Sequence, residues 1–177
     1  FRSPVGVLGP CSTPFRVMPT DLDVLRHVNN GTYFSLMDLA RVDLLRRAGL
    51  AGRIAAQGWY PVVVAETIQF RRSLTLFERF TIDTRVLGWD DKAFLLQQRF
   101  IRRGEAIATA LVRARFLARG GGSVAPSEVI SVGQDAPGCP LSAMSAILPQ
   151  VTAAERVSPS RSYTGSCTSW RMRRASS

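Results

Sequence analysis

The chain has 177 residues, 46% of them hydrophobic, and a formal net charge of +10. That size suits one domain with tails, and the apolar content excludes a wholly disordered chain. Every apolar run falls well short of the ~20 residues a membrane-spanning helix needs, Cys11, Cys139 and Cys167 form no CxxC, and His27 is the sole histidine, so no structural zinc site or disulfide framework is expected. Lys92 is the only lysine among 23 basic residues. Excess positive charge favours an anionic partner, either nucleic acid or a phosphate-bearing small molecule; arginine bias can equally reflect genome composition.

Residues 1–14 (FRSPVGVLGPCSTP) are rich in Pro and Gly and read as a leader, without the charged start and long apolar stretch of a secretory signal. A cytoplasmic location is therefore expected. Residues 15–18 are expected to form a short first strand, and residues 19–31 a loop with Pro, Asp and Asn supplying turn chemistry. The spacing of Tyr33, Met37, Ala40, Leu44 and Ala48 predicts a helix over 32–48 with one buried stripe. Asn29 or Asn30 can cap its start and Gly49 its end. Asp38 with Arg41, and Asp43 with Arg47, are favourable same-face pairs.

Four strands are predicted next, at 60–72, 79–88, 93–103 and 105–118, with turns at Asp90–Asp91 and Gly104. These breaks are too short for parallel crossovers, so the sheet should be antiparallel. The last strand places Ala106, Ala108, Ala110, Val112, Ala114 and Phe116 on one face. Such small side chains let a helix lie close. The expected fold is α+β, a curved antiparallel sheet wrapped around one long helix. From Gly120 the pattern fades: residues 120–149 read as an extension with a short helix over 138–149, and residues 150–177 as a tail, disordered or foreign to the native chain.

The segment TDLDVLRHVNNGTY at 20–33 is the most informative. It resembles the D-x-D-x-x-x-H-V-N-N-x-x-Y signature of the 4-hydroxybenzoyl-CoA thioesterase-like branch of the hotdog superfamily. The likeness continues through FSLMDLARVDLLRRAGL and the strand order, covering residues 15–119 as the domain. It implies a hotdog fold and hydrolysis of an acyl-CoA or acyl-carrier-protein thioester, with no metal or redox cofactor. It also implies a homodimer or homotetramer with the active site at the subunit seam. Asp23 would act as nucleophile or as general base on water, and a backbone N–H at Asn30 or Gly31 would hold the oxyanion.

The same residues have plainer readings. Asp21 and Asp23 can be turn residues, His27 and Asn29 loop and cap groups, and Tyr33 core with its hydroxyl near the thioester. Glu66 sits on an apolar strand face beside Val64, Ile68 and Phe70, so it must face the site, orient a water or pair with an arginine. Arg71 and Arg72, like Arg102 and Arg103, can hold CoA phosphates or form a solvated rim. Arg26 stands where the family pattern often has glycine. Two rival functions are a non-catalytic acyl-CoA-binding or sensing protein and an enoyl-thioester hydratase. The hydratase pattern Asp-x-Asn-Pro-x-His is not matched here. No helix-turn-helix is present, so nucleic acid is not the expected partner, and neither is a membrane.

Overall fold

The computed structural model describes residues 3–6 and 8–134. The helix expected over 138–149 and the tail from 150 lie outside the described residues. In chain order the elements are β1 (Cys11–Arg16), a 3-10 turn (Pro19–Asp21), α1 (Asn30–Arg47), α2 (Ala51–Ala56), β2 (Trp59–Phe70), β3 (Arg79–Trp89), β4 (Phe94–Arg102), β5 (Glu105–Ala118), β6 (Ser123–Val124) and α3 (Pro126–Gln134). The sheet runs β1-β3-β4-β5-β2, all antiparallel, with β6 beside β5 where β4 has run out. It curls around α1, which gives the α+β hotdog architecture.

The α1 stripe is the core of this arrangement. Tyr33, Met37, Ala40, Leu44 and Ala48 are all buried. They meet the inward residues of the central strands, Phe80 and Ile82, Phe94, Leu96 and Phe100, and Ala108, Ala110, Val112 and Ala114. Ala108, Ala110 and Ala114 on β5 leave room for the helix, as their spacing predicted, whereas a register shift between Phe100 and Ile101 takes Ala106 out of that series. Gly49, at φ +70, follows the helix in the left-handed conformation that glycine adopts without strain. The β4–β5 connection is a two-residue turn in which Arg103 (φ 52) and Gly104 (φ 82) are both left-handed, the geometry that matches strand twist.

Three local features differ from expectation. The first strand begins at Cys11, inside the segment read as a leader, and pairs Cys11–Arg16 with Thr84–Arg79. Its Pro14 is tolerated because β1 is an edge strand. A bulge between Val63 and Ala65 shifts the phase of β2. Glu66, Ile68 and Phe70 therefore lie opposite the inward Val112, Ala110 and Ala108, but it is Val63, not Val64, that lies opposite the inward Ala114. Beyond Gly120 the chain continues into β6 and α3, whose Val124, Val129 and Ile130 join the core. Among the described residues, no helix is long and apolar enough to cross a membrane.

Candidate active site

The loop from Met18 to Asn29 is folded by its own polar groups. The Met18 amide donates to Asp21 Oδ2 at 2.7 Å, and the Asn29 amide donates to the Asp21 carbonyl at 2.8 Å. Asp21 is thus structural, tying the start of the loop to the start of α1. Asp23 closes a tight reversal: its amide donates to the His27 carbonyl at 2.8 Å, while its Oδ1 accepts from the amides of Leu25 (2.8 Å) and His27 (3.1 Å). Asp23 Oδ2 has no hydrogen-bond partner among the described residues. The reversal needs a left-handed residue, which is Arg26 at φ +60. This explains physically why glycine suits that position.

The reversal sets Asp23 across from His27, two residues before the helix cap. Asn29 is that cap, its Oδ1 accepting from the Gly31 amide at 2.8 Å. Gly31 N–H is therefore spent within the protein, whereas the Asn30 amide, the first of α1, meets no protein acceptor among the described residues. It lies at the positive end of an 18-residue helix. The exposed His27 imidazole makes no side-chain hydrogen bond among the described residues.

Tyr33 is buried, 2% exposed, with its ring 4.8 Å from Phe70 and 5.0 Å from Phe100. Burial pushes its phenol up, opposed by a hydrogen bond with the Leu74 backbone. It is a core residue that fixes the first turn of α1 against the sheet. Arg72 pairs with Glu105 at 2.6 Å, and Arg102 is held by Glu78 (2.8 Å) and the Ser73 carbonyl (3.1 Å). Arg71 and Arg103 have no acidic partner among the described residues.

Glu66 faces α1. Its Oε1 lies 2.8 Å from Arg41 Nη1, a charge contact whose angle falls outside that of a hydrogen bond. Arg41 also pairs with Asp38 and donates to Gln98 Oε1 at 2.6 Å. Gln98, fully buried, donates in turn to the Met37 carbonyl and Thr84 Oγ1, both at 3.0 Å. Sequence reasoning paired Arg41 with Asp38 but missed Gln98. The available signal was an amide in the inward series Phe94, Leu96, Gln98, Phe100.

Beside this polar seam lies an apolar cavity of about 310 Å³ between α1, the sheet and α3. Leu45, Val63, Leu96, Phe116, Val129 and Ile130 line it, and Asp38 and Arg41 are its charged walls among the described residues. Asp38 is eight residues along α1 from Asn30, about 12 Å of helix rise.

An antiparallel sheet curled around one long helix is the architecture of the hotdog-fold proteins. A family model described as the thioesterase-like superfamily matches residues 17–144, and the chain belongs to that superfamily. It is 42% identical over 99 residues to Protein THEM6 of Xenopus laevis, covering 56% of this chain and 48% of that protein. It is 30% identical over 102 residues to the long-chain acyl-CoA thioesterase FadM of Escherichia coli K12, covering 56% of this chain and 77% of that protein. The structure of BH1999 gentisyl-coenzyme A thioesterase superposes with TM-score 0.61 at 25% identity, covering 69% of this chain and 98% of the other. The chain spans about half the length of the THEM6 proteins it matches.

Proposed function

We propose that the domain hydrolyses an acyl-CoA, or the equivalent acyl-carrier-protein thioester, to the free acid and thiol. The observation that supports this best is Asp23: two backbone amides hold one carboxylate oxygen and leave the other open, six residues before the Asn29 cap of α1. In this reading the Asn30 amide receives the carbonyl oxygen as it gains negative charge, where a fixed donor at a helix N-terminus is most useful. Asp23 Oδ2 attacks the thioester carbon and expels the thiolate, leaving a mixed anhydride that water opens. Alternatively it takes a proton from the water that attacks. Either route relies on positioning, because a thioester is activated and a thiolate leaves readily. Gly31 serves by allowing the cap, and His27 is free to contact substrate. Arg71, without an acidic partner among the described residues, and Arg72 are the proposed contacts for CoA phosphates.

The cavity suits the acyl part: at about 30 Å³ per water-sized group it holds on the order of ten methylenes. How it meets the carboxylate follows from the sheet edge. β2 is a 12-residue edge strand whose Tyr60, Val63, Val64 and Phe70 are each 41–43% exposed. A long apolar edge is an aggregation hazard unless it is paired. Twofold antiparallel pairing of β2 with its copy satisfies the edge. It brings the cavity mouth at Val63 of one protomer toward the β2 C-terminal end, and so the helix start, of the other. A homodimer is therefore part of the proposal.

The test is thiol release from a panel of short, long and aromatic acyl-CoAs, with Asp23→Asn beside the parent. Asn keeps the Oδ1 acceptor, so the loop should persist while turnover falls by roughly a hundredfold or more. Near-parental turnover in Asp23→Asn rules out this assignment of Asp23. Acyl-CoA binding without turnover on any member would favour the non-catalytic binding reading.

A further inference from the structure

One end of the domain combines exposed apolar loop tips with uncompensated arginines. Antiparallel register brings the close of β1, β2 and β4 and the start of β3 and β5 to that end. The 17–29 and 71–78 loops leave from it and are joined there: the Val28 amide donates to the Leu74 carbonyl at 3.1 Å, Phe77 to Val17 at 3.1 Å, and His27 bridges to Thr75. Val24 is 97% exposed, Leu25 71%, Met18 51%, Phe77 50% and Leu76 41%. Phe77 is presented at φ +62, in a left-handed conformation unusual for an aromatic residue, with Arg16 5.0 Å above its ring.

Arginine is in excess at this end. Glu78 and Glu105 are occupied by Arg102 and Arg72; Asp21 accepts a backbone amide, and Asp23 accepts two through Oδ1 with Oδ2 unpartnered among the described residues. Arg16, Arg26, Arg79 and Arg103 are exposed and have no acidic partner among the described residues. Arginines alone suit a dissolved phosphate. Projecting Val, Leu, Met and Phe side chains gain only by leaving water, and the two features together fit an interface that is apolar below and anionic above.

We propose that this end docks the domain on an anionic lipid bilayer, with Val24, Leu25, Leu76 and Phe77 entering the interface and Arg16, Arg26, Arg79 and Arg103 facing the headgroups. The proposal concerns where the domain works, and it stands whichever chemistry Asp23 performs. It also departs from the sequence-based expectation of no membrane partner, which rested on the lack of a spanning segment. Docking needs no such segment.

The test is flotation of the 177-residue chain with phosphatidylcholine vesicles and with vesicles also containing phosphatidylserine. It is run for the parent, for Leu76→Ser with Phe77→Asn, and for Arg79→Ser with Arg103→Ser. Asn tolerates the left-handed backbone at Phe77, and circular dichroism verifies folding. The parent should float with anionic vesicles and bind neutral ones roughly tenfold more weakly or worse, and each double variant should lose roughly tenfold on anionic vesicles. Equal binding to both lipids, no flotation, or binding that survives both variants overturns the proposal. So does a Leu76→Ser, Phe77→Asn variant that changes oligomeric state while its flotation is unaltered, which would assign the tips to a second copy.

Discussion

Arg41 on α1 donates to Gln98 on β4 at 2.6 Å, bridging the helix and the central sheet by a charge-assisted hydrogen bond inside the core seam. Gln98 spends its two donors on Met37 and Thr84, and Arg41 also neutralises Glu66. The network is closed apart from Glu66 Oε1, so removing one member exposes the rest to desolvation without compensation.

Arg41→Ala should therefore destabilise the fold by roughly 3–5 kcal/mol, the scale for stranding a buried charge. Adding Glu66→Leu to Arg41→Met should recover much of that loss, because the carboxylate then left without Arg41 is that of Asp38, which is exposed to water. Urea denaturation of the three proteins checks both statements. An Arg41→Ala loss below about 1 kcal/mol would mean water reaches the seam.

Asn29→Ala removes the acceptor that holds the Gly31 amide at 2.8 Å. The expected cost is about 1 kcal/mol, and Asn29→Asp should be nearly neutral because it keeps the acceptor and adds a favourable charge at the helix start. Thermal melting of the pair separates loss of the cap from general disruption of the loop.

Arg26→Gly should stabilise the domain. The left-handed backbone costs a non-glycine residue roughly 1–2 kcal/mol, and glycine returns about 0.5–1 kcal/mol of that as unfolded-state freedom. A rise in melting temperature is expected. A fall would show that the Arg26 side chain makes a compensating contact.

Burial raises the Glu78 carboxyl, but the Thr75 amide and Arg102 outweigh it and hold it below its ordinary value of 4.5. A carboxylate with a lowered folded-state pKa adds stability above its unfolded pKa and loses it as pH falls through the folded value. The stability difference between the parent and Glu78→Gln should therefore be constant at neutral pH and shrink as pH drops below about 4.5. Chemical denaturation at stepped pH measures it. A difference that persists unchanged in strong acid would assign Glu78 a role independent of its charge.

Much of the domain was legible in the linear sequence because its signals are local. The α1 stripe from Tyr33 to Ala48 is a 3.6-residue period, and the four strand spans agree with the structure to within about two residues because alternation and turn residues mark them. The segment 20–33 points to the hotdog fold by its resemblance alone. The β1 start was missed because Pro14 reads as a breaker, and only its place at a sheet edge makes it harmless. The faces of β2 were assigned by strict alternation, which the bulge at Val64 breaks.

What the sequence determined by itself is which side of each element avoids water, since that depends on neighbours within a few residues. Which of those sides meet was decided by register and crossover, which join residues far apart in the chain. Tertiary structure alone therefore set Gln98 against Arg41 and gathered Val24, Phe77 and Arg103 at one end of the sheet.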